Sequence, residues 1–309
     1  MTEEINISIV IVSYNVKELL CKCIAAAIAC AGNLKCEIIV VDNNSLDGSV
    51  AEVRSQFSGA ILIENKFNAG FSKANNQGMK IATGKYIFLL NPDTEITGDA
   101  LQQLSALMEL HDSCSVAAPQ LLNSDKTIQP SVWKNHKVAE LVLETFFLNK
   151  FFTTLNYLPE KLNTTFEGKT LSGAALFFRR SLLDKIGMLD ENLFWMEDVD
   201  FCFRAQQHGS IMYLHTAKVI HHSGQSQKKN YNTSISNQLI SKLKFYKKYS
   251  TMAARVVANF SCFIFIISRI IAFSLCAPLK KIYRLKAKAY SYTLKRYLSY
   301  LFLNDKSLA

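Results

Sequence analysis

The chain has 309 residues, 49% of them apolar and 19% charged, enough for one large domain or a domain with an appendage. Its charge is uneven. Residues 1–222 hold 19 Lys+Arg and 24 Asp+Glu, whereas residues 223–309 hold 16 Lys+Arg and a single acid, Asp305. A mildly acidic body therefore carries a strongly basic tail, of the kind that serves nucleic acid, an anionic membrane or an acidic partner. The eight cysteines are scattered, Cys21 and Cys23 stand one residue apart, and there is no CxxC pair. This excludes a disulfide framework, argues against zinc, and suits free thiols in a reducing cytosol. Met1-Thr2-Glu3-Glu4 is acidic where a signal peptide would be basic, so none is expected.

In chain order, Ile5 to Val12 predicts a buried strand, broken by Ser13-Tyr14-Asn15, and residues 16–31 carry a helical apolar pattern. Cys36 to Val41 predicts the second strand. The Asp/Asn/Ser side chains of the loop Asp42–Gly48 can satisfy their own backbone. Ser49 to Phe57 predicts a helix, Ala60 to Glu64 a third strand, Ser72 to Ala82 a helix, Tyr86 to Leu90 a fourth strand and Asp99 to Leu110 a helix. This alternation implies a doubly wound α/β sheet over about the first 120 residues. Beyond Pro119, segments 115–133 and 170–180 read as strands of a mixed sheet, and 138–158 as an amphipathic, aromatic-rich cover. Residues 197–208 read as a helix opening with acids, and Ile211–Tyr213 and Lys218–Ile220 as short strands. From about residue 236 only helices are expected.

Three acidic sites recur where apolar runs end, and ligands collect at the carboxyl ends of parallel strands. Asp42 ends Ile38-Ile39-Val40-Val41. Its carboxylate can accept the N3–H of a uracil or thymine ring, or the loop can simply cap the helix at Ser49. Asn91-Pro92-Asp93 follows the fourth strand. One Asp beside a bound diphosphate suits a hard divalent cation, and a plain proline turn is the other reading. Asn68-Ala69-Gly70-Phe71 leads into a helix whose N-terminus favours an anion, but it is neither a GxGxxG fingerprint nor a P-loop. That argues against a dinucleotide dehydrogenase and a P-loop ATPase. In Glu197-Asp198-Val199-Asp200, Asp200 lies four residues before Arg204 and can pair with it, leaving Asp198 free as a general base for a hydroxyl or as part of a solvated helix start. One imidazole of His221-His222 can complete a Mn²⁺ site or pack at a strand end.

In this order, Ser8–Asn15, Val41–Ser45, Asn68–Phe71, Asn91–Asp93, Leu171-Ser172-Gly173-Ala174, Glu197–Asp200 and His221-His222 resemble the inverting glycosyltransferases of family 2, which have the GT-A fold. The branch most similar is the bacterial rhamnosyltransferase-like group, and the resemblance covers about residues 5–226. It implies a GT-A domain over 1–235, with a nucleotide-sugar-binding half (1–120) and an acceptor half (121–235), followed by a helical tail over 236–309. It implies that Val12, Tyr14 and Asp42 hold base and ribose. Gly70, Asn75 and Asn91 would lie near the sugar-nucleotide. Asp93 would bind Mg²⁺ or Mn²⁺ through the last position of a D-x-D motif whose first position is here Asn91. Asp198 would be the base, and Gly173, Trp195 and Glu197 would belong to the acceptor side. Of the two histidines, His221 is favoured at the metal by position. The donor implied is dTDP-rhamnose or a UDP-sugar, and the acceptor a glycan or a polyprenyl-linked glycan in cell-surface polysaccharide synthesis.

In the tail, Val256 to Leu279 is mostly apolar and long enough to span a bilayer. Arg269 near its middle would cost ~2.5–3.5 kcal/mol there. Lysines and arginines flank it on both sides, without the bias of a single span, so an in-plane or re-entrant arrangement at the cytoplasmic face of the inner membrane is expected. Lysines bordering a long apolar run argue against nucleic acid. Two rival functions are a sugar-nucleotide-forming nucleotidyltransferase and a non-catalytic membrane-bound nucleotide-sugar-binding module. The first would want a Gly-rich basic loop where Ser13-Tyr14-Asn15-Val16-Lys17 stands, and the intact Asp93 and Asp198 count against the second.

Overall fold

Strands that bury both faces need helices on both, and the order of elements supplies them. The computed structural model describes residues 5–134, 136–146, 148, 159–222 and 231–302. In chain order these hold β1 (Ile7–Ser13), α1 (Lys17–Ala29), β2 (Cys36–Asp42), α2 (Ser49–Gln56), β3 (Ile61–Glu64), α3 (Phe71–Ile81) and β4 (Tyr86–Leu90). There follow β5 (Thr94–Thr97), α4 (Ala100–Leu110), β6 (Cys114–Leu122), β7 (Val132–Trp133), α5 (Val138–Thr145), β8 (Phe166–Glu167), β9 (Thr170–Leu171) and β10 (Ala175–Arg179). The chain continues through α6 (Leu182–Ile186), α7 (Glu197–Ala205), β11 (Ser210–His221), α8 (Tyr231–Tyr249), α9 (Met252–Cys276) and α10 (Lys281–Phe302).

Among the described residues, 5–134, 159–190 and 197–222 form one unit, and 136–146, 148, 191–196 and 231–302 form a second. The first unit is built on a mixed sheet of order β3-β2-β1-β4-β10-β6-β11-β5, with β8 added on β11. β1 runs parallel to β2 and β4; β10 is antiparallel to both β4 and β6; β11 is parallel to β6; and β5 is antiparallel to β11. The ends of β1, β2, β4, β6 and β11 therefore share one edge with the starts of β10 and β5. Alternate residues feed two cores. Ile7, Ile9, Ile11, Phe88 and Leu90 pack with Leu20 and Ile24 of α1 and Leu101 and Leu104 of α4. Val10, Val12, Ile87 and Leu89 pack with Ala74 and Met79 of α3 and Phe201 of α7. This is a doubly wound α/β architecture on a mixed sheet, as the strand–helix alternation predicts.

Three local differences from the sequence reading have physical causes. Thr94–Thr97 forms an extra strand, invisible beforehand because four residues with two threonines carry little periodicity. The two short strands expected at 211–213 and 218–220 are one, β11, whose register on β6 shifts between Leu214 and Lys218. The helix at 197 stops at Ala205, and the chain turns through Gln206, Gln207 and His208. Of the expected cover at 138–158, residues 147 and 149–158 lie outside the described residues.

In the second unit, α8, α9 and α10 pack on one another and α5 packs on α9. The Arg269 guanidinium donates to the carbonyl oxygens of Glu144 and Thr145 at the end of α5, at 2.7 and 2.8 Å, and lies 4.0 Å from the Phe265 ring centroid. The cation that the sequence places mid-helix thus has its partners inside the unit.

A close approach before β4 gives a direct test. A Cβ on Gly84 would stand 2.7 Å from the backbone nitrogen of Ser8 and 2.9 Å from the carbonyl carbon of Ile7. Neither can yield without moving β1. Gly84→Ala is expected to destabilise the protein by about 1–3 kcal/mol in urea denaturation, the usual cost of overpacking; an unchanged midpoint would contradict the packing described.

Candidate functional site

The shared edge of the sheet gathers most of the residues singled out in the sequence. Ser13 and Asp42 are register partners at the ends of β1 and β2. Asp42 is 2% exposed: its Oδ2 accepts from the Ser45 amide at 2.8 Å, while its Oδ1 is buried and has no hydrogen-bond partner among the described residues. The Ser13 hydroxyl and the Asn91 Oδ1, at and just after the ends of β1 and β4, are buried and unpartnered in the same way. Three neighbouring strands thus each end on an oxygen that has lost water without gaining a protein partner, an arrangement that favours a ligand carrying donors. Val12 lies in the β1 core, and Tyr14 stands exposed just beyond the strand.

The loops around these oxygens are held by side chains. The Asn15 amide donates to Ser45 Oγ at 2.9 Å and the Leu46 amide to Asn15 Oδ1 at 2.8 Å, tying the turn after β1 to the loop after β2. Asn43 does the same for the next loop. Its Oδ1 accepts from Asn65 Nδ2 at 2.9 Å and from the Ala69 amide at 3.3 Å, and its Nδ2 donates to the Gly70 carbonyl at 3.3 Å. Gly70 has φ +85°, a left-handed conformation that suits glycine, and opens α3. Asn75 is buried within α3, and its side-chain amide donates to the Phe71 carbonyl at 3.0 Å. Asn43, Asn65 and Gln77 form a positioning network that the sequence reading missed; the asparagine-rich run was the available signal.

Asn91-Pro92-Asp93-Thr94 is a turn closed by the Thr94 amide on the Asn91 carbonyl at 3.2 Å, and it hands the chain from β4 to β5. Because Thr94 pairs with His221 across β5 and β11, Asp93 meets the histidines. The His222 amide donates to the Asp93 carbonyl at 2.8 Å, and the His221 Nε2 lies 3.4 Å from Asp93 Oδ1. The two imidazoles differ. His222 has both nitrogens engaged, with Ser124 Oγ and with Glu95 Oε1, each at 2.7 Å. His221 has its Nδ1 2.7 Å from Gln129 Oε1, an acceptor, which assigns the ring proton there and leaves the Nε2 lone pair facing a carboxylate oxygen. Two acceptors facing each other repel unless a proton or a cation lies between them. The donor set, one carboxylate and one imidazole, fits a divalent cation that takes its remaining ligands from substrate phosphates and water.

Asp198 reaches the same edge through β10. The Asn91 amide donates to the Ala174 carbonyl at 2.9 Å, and the next amide back, Gly173, donates to Asp198 Oδ2 at 2.9 Å. Asp198 Oδ1 accepts from the Val199 amide at 2.8 Å. A Cβ on Gly173 would lie 3.2 Å from Asp198 Cβ, so only glycine leaves this carboxylate where it is without pressing on it. Desolvation raises the Asp198 carboxyl above its ordinary range, and the amides on its oxygens oppose that only in part. Two residues on, Asp200 is fully buried and ion-paired with Arg204 at 2.8 Å, and Arg204 also donates to the carbonyls of Ile186 and Met188. The sequence expectation of an Asp200–Arg204 pair with Asp198 turned elsewhere is met. Glu197 opens α7 beside them. Trp195 belongs to the second unit; its φ is +82°, its indole lies edge-on to Phe194 at 6.1 Å, and its buried Nε1 has no partner among the described residues.

Comparison with known proteins adds the following. The family model described as Glycosyl transferase family 2 matches residues 8–187. Over 117 residues, 35% of this chain, it is 34% identical to the amylovoran biosynthesis glycosyltransferase AmsB of Erwinia amylovora. Over 101 residues, 31% of this chain, it is 33% identical to the poly(ribitol-phosphate) beta-glucosyltransferase of Bacillus spizizenii. The matches span 37% and 16% of those relatives' lengths. Among solved structures, the mannosyltransferase PcManGT of Pyrobaculum calidifontis, in complex with GDP-Man and Mn²⁺, aligns at TM-score 0.57 and 14% identity over 98% of this chain and 89% of its own. S. aureus TarS residues 1–349 align at TM-score 0.53 and 15% identity over 96% and 91%. At these identities the structural likeness concerns the fold.

Two carboxylates two residues apart should respond oppositely to neutralisation. Asp198 has a raised folded-state value, so its contribution to stability is greatest below the ordinary carboxyl value of 3.8 and is lost as pH rises through the raised one. Asp198→Asn is therefore expected to match or exceed the parent protein in melting temperature at pH 8, with the advantage shrinking toward pH 5. Asp200→Asn leaves Arg204 without its counter-charge and should cost about 3 kcal/mol, as breaking a buried pair does. Thermal melts across pH check both; destabilisation by Asp198→Asn that grows with pH would contradict the assignment.

Proposed function

The chain belongs to glycosyl transferase family 2, and on that premise we propose that it moves a sugar from a nucleoside-diphosphate-sugar to a hydroxyl of a glycan or lipid-linked glycan acceptor, with inversion at the anomeric carbon. The observation that carries this reading is the row of unpartnered oxygens on Ser13, Asp42 and Asn91, ending at the facing pair Asp93 and His221. Asp42 Oδ1 accepts the imide N–H of a uracil or thymine ring, with Val12 and Tyr14 flanking base and ribose. Gly70, which opens α3, and Asn75 within that helix lie toward the sugar-nucleotide, and Asn91 lies beside it. Asp93 and His221 would hold Mg²⁺ or Mn²⁺, which supplies charge stabilisation at the departing diphosphate. The mannosyltransferase of like fold, in complex with GDP-Man and Mn²⁺, supports the use of a divalent cation here. dTDP-rhamnose as donor rests on the motif resemblance, and a UDP-sugar is the other candidate.

Asp198 takes the acceptor hydroxyl proton while that oxygen attacks the anomeric carbon from the face opposite the leaving diphosphate. Its raised value suits the task, because a base that holds a proton more tightly is a better acceptor of the hydroxyl proton. The Gly173 and Val199 amides, one on each oxygen, fix the carboxylate, and each oxygen keeps a further lone pair for the incoming hydroxyl. Glu197, one residue earlier, is assigned to the acceptor side with Gly173.

The second unit supports a peripheral place at the cytoplasmic face of the inner membrane. By length and composition α9 could cross a membrane. Yet Arg269 is committed to α5, while Val256, Phe260, Ile271 and Leu275 present an exposed apolar stripe at helical spacing. Residues 231–302 contain no Asp or Glu. An apolar stripe with only basic companions fits a helix lying in the interface of an anionic leaflet.

Calorimetry and turnover separate the two roles. Asp93→Ala should lose metal-dependent nucleoside-diphosphate affinity, whereas Asp198→Asn should keep it and lose ~10²–10⁴-fold in transfer, the usual worth of a positioned base. Equal nucleotide affinity with EDTA, with metal and in Asp93→Ala would overturn the metal site. Parent-like transfer by Asp198→Asn when chemistry limits the rate would overturn the base.

A further inference from the structure

The second unit also contains a groove that surface attachment does not explain. Where α8 ends, α9 begins and α10 ends, the three helices leave an open cavity of about 780 Å³, within the ~300–1,000 Å³ of small-molecule sites. Phe260, Phe263, Tyr297 and Leu301 make apolar wall, and Lys247 and Arg255 stand in the same lining. Two of the wall's polar groups are engaged: the Tyr297 hydroxyl donates to the Asn259 carbonyl at 2.9 Å, and Asn259 Nδ2 donates to the Arg255 carbonyl at 2.8 Å, while the buried Asn259 Oδ1 has no hydrogen-bond partner among the described residues. Arg255 Nε donates to the Ser250 carbonyl at 3.0 Å, which orients the guanidinium and leaves its terminal nitrogens for another acceptor. Among the described residues no carboxylate forms an ion pair with Lys247 or Arg255, and α8, α9 and α10 contain no acid. The apolar wall runs onto surface that water does not favour, with Phe260 65% and Phe302 79% exposed.

An apolar trough with two unneutralised cations matches an amphiphile with an anionic head. We propose that this groove seats a single phosphate-headed lipid, its hydrocarbon tail along Phe260, Phe263, Tyr297 and Leu301 and its phosphate on Arg255 and Lys247. The guanidinium offers the forked donors that phosphate oxygens accept, and the ammonium adds charge. The inference rests on the membrane reading given above and deepens it: the second unit recognises one lipid molecule as well as a charged surface. A lipid-linked acceptor carries this same chemistry.

The test uses the full-length protein and three probes in titration calorimetry: farnesyl phosphate, farnesol and inorganic phosphate. Farnesyl phosphate should bind at least tenfold more tightly than either half alone, because head and tail are read together. The double variant Lys247→Gln/Arg255→Gln, which alters only side chains at the groove's rim, should weaken farnesyl phosphate at least tenfold and leave nucleoside-diphosphate affinity unchanged. No binding of farnesyl phosphate, equal binding of farnesol or of inorganic phosphate, or unchanged affinity in the double variant would each overturn the groove. Co-sedimentation of the parent protein with vesicles rich in anionic phospholipid distinguishes this failure from that of the membrane reading. Vesicle binding without farnesyl phosphate binding removes the groove alone, and farnesyl phosphate binding without vesicle binding removes the surface attachment alone.

Discussion

The antiparallel insertion of β10 between β4 and β6 is the constraint on which the first unit depends. Were β10 parallel, its start would lie at the far edge of the sheet, and Ser172-Gly173-Ala174 with it. Running antiparallel, it brings that segment beside Asn91, where the Asn91 amide meets the Ala174 carbonyl and the Gly173 amide meets Asp198. The proposed base is thereby carried, through one backbone hydrogen bond and one from a backbone amide to its carboxylate, to the edge where β1, β2 and β4 end. The parallel return of β11 does the same for His221, delivered opposite Thr94 next to Asp93. Side chains distant in sequence reach one rim because strand direction, more than any loop, puts them there.

That rim carries a cost in the free chain. Buried oxygens on Ser13, Asp42 and Asn91 without partners, a carboxylate facing an imidazole lone pair, and a desolvated Asp198 are each unfavourable until something supplies donors, charge or a proton. Asp200 shows the alternative a few ångströms of chain away: a carboxylate of equal charge, fully buried, whose every demand is met by Arg204 and its surroundings. The contrast separates groups that hold α7 in place from groups held ready for a ligand.

Much of this was legible beforehand because its signals are local. The β-branched runs of β1 and β2, the exact span of β4 and the Asp200–Arg204 spacing follow from side-chain period alone. The choice of His221 over His222 at Asp93 accords with position in the sequence, but its reason, Gln129 on one imidazole and Ser124 with Glu95 on the other, depends on strands far apart in the chain. β5 was not legible, since its four residues become a strand only through pairing with β11. Nor was the fate of Arg269, which looked like a charge stranded in an apolar helix and is instead the cap of α5. In each case the missing information was a tertiary partner.

The account's central claim is that one edge of the sheet holds the donor nucleotide on the oxygens the fold leaves unpaired. Diffraction from crystals grown with a uridine or thymidine diphosphate and Mn²⁺, collected at the manganese absorption edge, tests it most directly. The account predicts the pyrimidine ring within hydrogen-bond reach of Asp42 Oδ1, the diphosphate beside Asn91, and an anomalous peak bound by Asp93 and His221. A nucleotide bound away from Asp42, or a peak with neither Asp93 nor His221 as ligand, would contradict it.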